Sequence, residues 1–406
     1  MLIIITRAYP FGGEPFLQYE SPHLPKDAVF FAISTNSAKK TESEPRQSYI
    51  VSDGKVRLRS YFYALHGLFD KEIYKELRDL KRRKKLSAKS VKRLFATYSS
   101  SKKCYKNIVS ILEKNYACRL TEKIVVYSYW MEAHAVIASL LKNKYRNVKI
   151  ISRCHGYDLY EYRHESRYIP FRQKVLNDID LIVPISQDGK EYIVNTYGNK
   201  YAEKVQVCRL GTIDCGLNPS AKTGVFTIVS CSNIVKVKRL EMIVRAIACL
   251  QIPVKWIHFG DGDQGANIRK LARDCLAEKK NVEYIFKGNV DKEDILKYYT
   301  ENHIDVFINT SESEGIPVSI MEAMSFGIPV IATDVGGTSE IVETGENGYL
   351  LFKDDDSNRI ADTLMEFAAL EDNEVSKLRT GSRRTWNDNY REDKNFGDFV
   401  RLIETL

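Results

Sequence analysis

Two carboxylates and a pair of glycines lie within one stretch of the sequence, from 309 to 340. Glu314 lies in a polar loop after a predicted strand, and Glu322 lies early in a predicted helix, where its carboxylate can accept hydrogen bonds from a vicinal diol such as a ribose. Gly336 and Gly337 precede another predicted helix. Paired glycines let backbone N–H groups approach an anion at a helix N-terminus, although a tight turn is the better interpretation of an isolated pair. Because this pair follows two spaced carboxylates, the sequence favours phosphate binding.

The helix that carries Glu322 has defined ends in the sequence. Pro317 suits a first helical position, and Gly327 suits the C-terminal stop. A predicted strand at 329–333 follows, and the glycine pair stands after that strand. The carboxylates and the glycines therefore follow successive strands, and ligands bind beyond the carboxyl ends of strands in doubly wound sheets.

Short apolar runs alternate with helical patterns through most of the chain, which predicts βαβ units and parallel sheets. Predicted strands of the first half lie at 2–6, 29–34, 124–128, 148–153 and 181–185, with helices at 132–142 and 188–196. Those of the second half lie at 225–230, 254–259, 282–286, 304–309 and 329–333, with helices at 239–250, 267–278, 292–299 and 317–326. Each half is thus expected to be one doubly wound α/β domain.

The 406 residues are too many for one ordinary core, so we expect at least two domains. A polar, turn-rich stretch at 211–224, GTIDCGLNPSAKTG, is the predicted linker. We assign residues 1–215 to an N-terminal domain, 225–390 to a C-terminal domain, and 391–406 to a C-terminal helix that packs back toward the N-terminal domain. The two domains are expected to face a central cleft.

The stretch 314–340 resembles the donor-site signature of glycosyltransferase family 4. It carries EGxP, EAM, GxPVIAT, GG and a final glutamate in register, and Glu314 and Glu322 have the family's E-x7-E spacing. Weaker similarity covers most of the chain. It includes Ile4 and Thr6 before Gly12-Gly13-Glu14, the RCHGYD loop at 153–158, Leu210-Gly211, Gly260-Asp261-Gly262 and Phe286-Lys287-Gly288. The resemblance implies the GT-B architecture, two Rossmann-like domains facing a cleft, and retaining transfer without a metal or cofactor. It also implies that the N-terminal domain, 1–215, binds the acceptor and that the C-terminal domain, 225–390, binds the nucleotide-sugar donor.

The resemblance also implies a role for individual residues. Glu322 is expected to hold the ribose hydroxyls, Glu314 to face the donor sugar, and Lys238 to neutralise the departing diphosphate. His155 is expected across the cleft near the transferred sugar. The remaining donor-binding positions are the backbone N–H groups of Gly337 and Thr338, with Gly336, on the diphosphate; Gly13 in the glycine loop; and Val290 near the base.

One position departs from the family pattern. Members usually carry an arginine five residues before the lysine, which forms a clamp of two cations. In SCSNIVKVKRL that position is Asn233, and only Lys238 remains. Lys236 and Arg239 are the nearby cations that would have to compensate.

Other patterns have ordinary structural explanations beside functional ones. His155 is as consistent with a packed loop histidine as with a catalytic one. Tyr129 and Trp130 follow a strand and suit sugar stacking or core packing. The run 354–356, three aspartates, resembles a DxD metal motif but suits a loop with helix N-caps. The histidines show no metal spacing, and the eight scattered cysteines are expected as buried free thiols in a reducing cytoplasm, so we infer no metal.

The segment 71–93, from Lys71 to Arg93, carries eleven Lys and Arg against three Asp and Glu, an excess equal to the net charge of +8 of the whole chain. Ile73, Leu77 and Leu80 give it a narrow apolar stripe, and residues 81–85 are consecutive cations that three local acids cannot neutralise. A solvated helix face is the ordinary explanation. We favour contact with an anionic membrane surface, and few interleaved aromatics argue against nucleic-acid binding.

The sequence therefore predicts a cytoplasmic hexosyltransferase, peripheral on the inner membrane face, that makes cell-surface polysaccharide. Its expected substrates are a UDP-sugar donor and a hydroxyl of a glycan or lipid-linked acceptor. One alternative is a sugar-nucleotide epimerase of the same architecture, which product analysis without acceptor would identify. The other is a catalytically inactive glycan- or nucleotide-binding protein, which donor turnover would exclude.

Overall fold

The protein was analysed as a computed structural model, which describes residues 1–9, 14–33, 46–52, 66–220 and 224–406. The chain divides into two compact units. The N-terminal unit comprises Met1–Cys208 together with Phe396–Leu406, and the C-terminal unit comprises Arg209–Asn395.

The N-terminal unit is built on a parallel sheet in the order β3-β2-β1-β4-β5-β6. The central strand β1, LIIIT, is buried along its whole length, as expected for a parallel sheet covered on both faces. The strands are β1 (Leu2–Thr6), β2 (Val29–Ala32), β3 (Ser48–Ile50), β4 (Ile124–Ser128), β5 (Val148–Cys154) and β6 (Leu181–Pro184).

Helices cover both faces of this sheet. Ser87 begins the longest helix with a capping box, in which its hydroxyl accepts a hydrogen bond from Ser90 N. The helices are α1 (Pro15–Glu20), α2 (Lys71–Arg82), α3 (Ala88–Asn115), α4 (Ala133–Lys144), α5 (Arg172–Asp178) and α6 (Gln187–Tyr197). A C-terminal helix described below adds its last residues to this unit.

The C-terminal unit has a second parallel sheet in the order β12-β11-β10-β7-β8-β9. Its strands are β7 (Phe226–Cys231), β8 (Val254–Phe259), β9 (Val282–Gly288), β10 (Val306–Asn309), β11 (Val330–Thr333) and β12 (Gly348–Leu351). Its helices are α7 (Leu240–Cys249), α8 (Gly265–Leu276), α9 (Lys292–Glu301), α10 (Val318–Ser325), α11 (Ser357–Ala368) and α12 (Asp372–Asn389), and α13 (Glu392–Thr405) follows. The predicted strands and helices are thus found in the predicted order, in two doubly wound α/β units.

The helix expected after Gly336-Gly337 is only a short 3-10 segment, Gly336–Glu340. Gly336 has a φ of +56°, which is not helical, and Ile341 N donates to Thr338 O in the i→i+3 pattern of a 3-10 turn. The helix predicted to start near Thr338 is therefore present only as this short 3-10 segment.

The two units meet in the chain at Cys208 and Arg209, before the expected linker 211–224. The start of that stretch packs into the C-terminal unit through specific hydrogen bonds. Thr212 N donates to Tyr390 O over 2.9 Å, and Trp386 Nε1 donates to Thr212 Oγ1 over 2.8 Å. Asn218 Nδ2 donates to the carbonyl oxygens of Tyr299 and Asn302. These contacts place residues that composition assigned to a linker inside a folded unit.

The end of α13 completes the core of the N-terminal unit. Phe399 and Ile403 are buried there among side chains of β1, β2 and β4. The Arg153 guanidinium lies 4.1 Å from the Phe399 ring centroid and forms a fully buried ion pair with Glu20 at 3.1 Å. Arg153 also donates to the Tyr127 hydroxyl and the Cys208 carbonyl, each over 2.9 Å, so one buried cation joins four segments.

All eight cysteines are free, but they are not all buried. Cys104 and Cys154 lie in the core, whereas Cys118 and Cys249 are exposed. The expectation of burial is wrong for Cys249 because it is the last residue of α7 and lies on its outer side, where its thiol contacts Arg245 O.

The Arg153–Glu20 pair generates a stability prediction. Glu20→Ala leaves a buried guanidinium without its carboxylate and should destabilise the N-terminal unit by about 3–5 kcal/mol. Urea unfolding followed by circular dichroism measures the change. Asp27→Ala is the control, since Asp27 pairs with Arg119 at the surface, where ion pairs contribute little. Equal midpoints for Glu20→Ala and Asp27→Ala would contradict the prediction.

Candidate active site

Three neighbouring strands of the C-terminal sheet, β11, β10 and β7, direct their following loops to one edge. Parallel strands place these carboxyl ends together, which is where doubly wound sheets bind ligands. The loop after β7 carries Lys238, the loop after β10 carries Glu314, and the loop after β11 carries Gly336 and Gly337. The topology therefore brings together residues that are far apart in sequence.

Lys238 and Glu314 form an ion pair between two of these loops. Lys238 Nζ lies 2.5 Å from Glu314 Oε1, and the Glu314 side chain is buried. Asn309, the last residue of β10, also donates from Nδ2 to the same oxygen over 3.4 Å. The carboxylate is therefore held from two sides at the sheet edge.

Backbone contacts fix the loops that present this pair. Thr310 Oγ1 lies 3.1 Å from the carbonyl oxygens of both Lys238 and Arg239, and Glu312 N donates to Val237 O over 2.8 Å. The 3-10 turn Lys236–Lys238 is thus bonded directly to the start of the Glu314 loop. These contacts fix the two loops relative to each other, so the loop backbones as well as the side chains hold the ion pair in place.

Of the two cations considered as replacements for the missing arginine, Arg239 makes contacts within the C-terminal unit. Arg239 donates from Nε to Thr310 O over 2.8 Å, from Nη1 to Lys353 O over 3.0 Å, and from Nη2 to Thr333 Oγ1 over 3.3 Å. Its backbone is left-handed, with a φ of +48°, at the start of α7. Arg239 is therefore a structural residue, whereas Lys236 and Asn233 are exposed.

The glycine pair packs against the Glu314 loop. A Cβ at Gly336 would lie 2.0 Å from Glu314 O, so only glycine permits this approach. Gly337 N donates to Gly315 O over 2.7 Å, and both Thr338 N and Thr338 Oγ1 donate to Val335 O. In this structure both backbone N–H groups expected on a diphosphate are donated within the unit. The 3-10 turn is also too short to supply a helix dipole, so the glycines shape the loop around Glu314.

Glu322 lies on α10 and is buried. Its electrostatic neighbours include Lys292, the first residue of α9, and Cys231, the last residue of β7. Burial lowers the pKa of Lys292 to about 8, although Glu322 opposes the shift. Burial, reinforced by Glu322, raises the pKa of Cys231 to about 12. Near pH 7 the thiol is neutral and Lys292 is still charged, so Glu322 has a cationic neighbour.

Sequence reasoning did not identify Lys292 or Asn309 as site residues. Lys292 stands two positions after Val290, which is half-buried between β9 and α9. Asn309 is a polar residue at the end of an apolar strand, and that position was its only signal in the sequence. Among the aspartates 354–356, Asp356 is the helix N-cap, since it accepts from Asn358 N and Arg359 N at the start of α11, and Asp355 accepts from Phe352 N in the preceding loop.

His155 belongs to the N-terminal unit, where it follows β5 and is buried. Its backbone N–H donates to Asp158 Oδ1 over 2.8 Å, and its Nδ1 lies 3.8 Å from Asp158 Oδ2. Burial opposes ionisation of Asp158, but contacts with His155 and the Met131 N–H hold its pKa below the usual value. Gly13 lies outside the described residues.

The two aromatic residues after β4 differ in their burial. Tyr129 is fully buried in the core, whereas Trp130 is half-buried and lies 4.4 Å from the His155 ring. Trp130 Nε1 donates to Glu14 Oε1 over 2.5 Å. Core packing is thus the correct interpretation for Tyr129, whereas Trp130 packs against the edge of the same core and is partly exposed. Across the described parts of the chain, no cluster of three or more His, Cys, Asp or Glu is arranged to hold a metal ion.

Residues 218–387 match a family model described as glycosyl transferases group 1. The chain is 26% identical over 272 residues to the putative colanic acid biosynthesis glycosyltransferase WcaL of Salmonella typhimurium, and this match covers 64% of each chain. It is 24% identical over 298 residues to N-acetyl-alpha-D-glucosaminyl L-malate synthase of Bacillus anthracis, covering 70% of this chain and 74% of that protein. The chain thus spans slightly less than two thirds of the WcaL protein.

Two solved structures resemble the whole chain. HepE of Anabaena, in complex with UDP and glucose, superposes with a TM-score of 0.69 at 16% identity and covers 100% of this chain and 99% of its own. Sucrose-phosphate synthase of Thermosynechococcus elongatus superposes with a TM-score of 0.72 at 14% identity, covering 100% of this chain and 98% of its own. The chain therefore has the GT-B fold of two Rossmann-like units.

Proposed function

We propose that the protein is a retaining glycosyltransferase of family 4. It transfers a sugar from a UDP-sugar, without a metal ion, to a hydroxyl of a glycan or lipid-linked acceptor in cell-surface polysaccharide synthesis. The observation that carries this proposal is the buried Lys238–Glu314 ion pair at the strand edge of the matched domain. The UDP and glucose bound by the HepE structure and the polysaccharide role in the WcaL name support the choice of substrates.

The roles follow from the charges at the site. As the bond between the anomeric carbon and the diphosphate oxygen breaks, the diphosphate gains negative charge that Lys238 stabilises by preorganised electrostatics. The sugar becomes oxocarbenium-like, and Glu314, freed from part of its bond to Lys238, stabilises that positive charge. Glu322 accepts hydrogen bonds from the ribose hydroxyls. His155 of the N-terminal unit contacts the transferred sugar. The acceptor hydroxyl oxygen forms the new glycosidic bond, and its proton passes to the oxygen of the departing diphosphate.

A thermal-shift panel of UDP-, GDP-, ADP- and dTDP-sugars tests the donor assignment. A ligand that binds the folded state alone raises the melting temperature by mass action. We expect the largest shift with UDP-sugars. A larger shift with another base would overturn the choice of UDP, and no shift with any nucleotide sugar would overturn the proposed function.

Lys238→Ala should slow transfer about 100-fold or more, by analogy with the loss of one oxyanion-stabilising group. Asn233→Arg in the same background should recover part of the rate, since it restores a cation near the diphosphate. Lys270→Ala is the control because it removes an exposed lysine of the same unit, on α8 and away from the Lys238 turn. Initial rates with a labelled UDP-sugar measure the effect, and similar losses from both alanine variants would rule out a specific role for Lys238.

Glu322→Ala should weaken UDP binding by about 2–4 kcal/mol, because the ribose diol loses a charged acceptor of two hydrogen bonds. Isothermal titration calorimetry with UDP measures the change. Glu312→Ala serves as the control, since Glu312 lies exposed in the neighbouring loop and its backbone contact to Val237 is kept. Unchanged affinity in folded Glu322→Ala would disprove the ribose role.

We also propose that the N-terminal unit binds an anionic membrane surface on the cytoplasmic side. The structure differs from the sequence prediction in two features of the segment 71–93, its apolar stripe and its unpaired cations. Ile73 and Leu80 are buried in the core, so the apolar stripe of α2 faces the protein. Among residues 81–85, Arg83 and Lys85 both pair with Glu161, so a distant acid neutralises part of the run.

The outward side of α2 still carries a basic surface. Its exposed cations are Lys71, Lys75, Arg78, Lys81 and Arg82, and Lys84 follows. Phe69, at the start of the helix, is 87% exposed, and the neighbouring Tyr74 hydroxyl donates to Leu68 O over 2.5 Å. An aromatic side chain beside a cationic surface suits a headgroup region, where each basic residue contributes about 1 kcal/mol. No helix within the described ranges is both long enough and apolar enough to span a bilayer.

Liposome co-sedimentation tests this surface. Wild type should pellet with phosphatidylglycerol vesicles at low salt and be released at about 0.5 M salt, where the Debye length is only a few ångströms. Changing Lys71, Arg78, Lys81 and Lys84 to Gln should abolish pelleting. The control changes four exposed lysines of the other unit, Lys270, Lys280, Lys297 and Lys377. Equal binding by the two variants, or none by wild type, would disprove membrane attachment through α2.

A further inference from the structure

Two aromatic side chains follow neighbouring strands of the N-terminal sheet. Trp130 lies just beyond β4 and Tyr157 just beyond β5, and these strands pair in parallel up to Ser128 and Ser152. Both residues therefore lie in loops at the carboxyl edge of the sheet, where doubly wound units bind ligands. Trp130 is half-buried at the edge of the core and Tyr157 is 47% exposed, so both side chains are partly accessible.

The Trp130 ring is fixed on several sides. Its centroid lies 4.4 Å from that of His155, and the Arg7 guanidinium lies 5.3 Å from the indole centroid. Glu14 Oε1 accepts from the indole N–H over 2.5 Å. The same fully buried carboxylate accepts from Arg7 N over 3.1 Å and Ala8 N over 3.0 Å, so Glu14 fixes the indole to the loop after β1.

The Tyr157 ring is also held by neighbouring side chains. It packs edge-on against His164, with centroids 4.3 Å apart. Burial, followed by Arg93, lowers the pKa of His164 to about 4, so the imidazole is neutral near pH 7 and its Nδ1 can accept from Arg93 Nη1 over 2.6 Å. Arg93 in turn pairs with Glu132 at 2.8 Å. The exposed tyrosine thus has a rigid support beneath it.

Short connections join these two supported rings. His155, which contacts Trp130, precedes Tyr157 by two residues. Glu132, which follows Trp130 by two residues, lies 3.6 Å from His164 beneath Tyr157. The two rings are thus connected through His155 and through the Glu132–His164 contact, and the exposed Arg7 lies over the Trp130 ring.

We propose that Trp130 and Tyr157 form a stacking site for a pyranose ring of the acceptor, with Arg7 and Glu132 at its rim to bond sugar hydroxyls. The proposal rests on the proposed function and names the acceptor as a carbohydrate. Aromatic rings present an apolar face to the C–H groups of a sugar, and a few polar groups around them fix its orientation. Because both rings are already immobilised, binding loses little side-chain entropy. Glu14 acts through Trp130 and is a positioning residue.

Intrinsic fluorescence reports directly on this site. The chain has three tryptophans, and Trp256 and Trp386 are fully buried. Titration with methyl glycosides of glucose, galactose, mannose and N-acetylglucosamine, each to about 50 mM, covers complexes weaker than 1 mM. At least one should shift the emission saturably, whereas glycerol should not. Trp130→Phe should remove the signal, and the absence of a saturable shift with all four glycosides would overturn the proposal.

Matched tyrosine variants test the second ring. Tyr157→Ala should weaken glycoside binding roughly tenfold, the loss expected for one aromatic contact, while Tyr157→Phe should stay within about twofold. Tyr162→Ala is the control, since Tyr162 is 53% exposed in the same loop but packs on Tyr160 and Tyr192. Equal effects of Tyr157→Ala and Tyr162→Ala would contradict the site.

A positioning role for Glu14 predicts a separate result. Glu14→Gln should weaken glycoside binding and shift the Trp130 emission before any sugar is added, while UDP affinity stays at the wild-type value. Unchanged emission and glycoside binding would show that Glu14 does not position the indole. UDP binding is measured in the same samples: glycoside binding without any nucleotide binding would reject the proposed function and leave the stacking site intact.

Discussion

The ion pair between Lys238 and Glu314 is the interaction around which the C-terminal site is arranged. A lysine and a carboxylate that are both largely withdrawn from water are stable only when each offsets the other's charge and nearby groups complete their hydrogen bonds. The backbone bonds at Thr310 and Glu312 hold the two loops in register, and Gly336 closes on the Glu314 carbonyl because it has no side chain. The fold therefore holds two opposite charges close together at one sheet edge, where the proposed transfer would use both.

Lys238 is the cation that pairs with Glu314 at this edge. Asn233 stands at the position where the family 4 pattern has an arginine. The Arg239 guanidinium donates its hydrogen bonds to carbonyl and hydroxyl oxygens within the C-terminal unit. Lys292 supplies a second charge, but on another loop, near Glu322. Positive charge is thus distributed between the diphosphate and ribose sides of the proposed donor site, instead of being concentrated in one clamp.

In the N-terminal unit, several residues of the basic segment 71–93 stabilise the fold. Arg83 and Lys85 bind Glu161, and Glu76 accepts from Phe171 N over 3.0 Å. These contacts fix the long loop after β5, which carries His155 and Tyr157. The outward cations of α2 remain exposed, so one helix both supports the proposed acceptor loop and presents a basic surface.

The sequence by itself determined the alternation of strands and helices, the two α/β units and the positions of Glu314, Glu322 and Lys238, because buried parallel strands are short apolar runs whose following loops hold the polar residues. It could not show that Arg239 turns into the unit, that Gly337 N donates to Gly315, or that residues from 209 onward join the C-terminal unit. Glu161 lies far along the chain from the cations it neutralises, so local charge counting overestimated the free charge of 81–85. Such contacts join residues that only folding brings together, and for that reason the tertiary structure decided them.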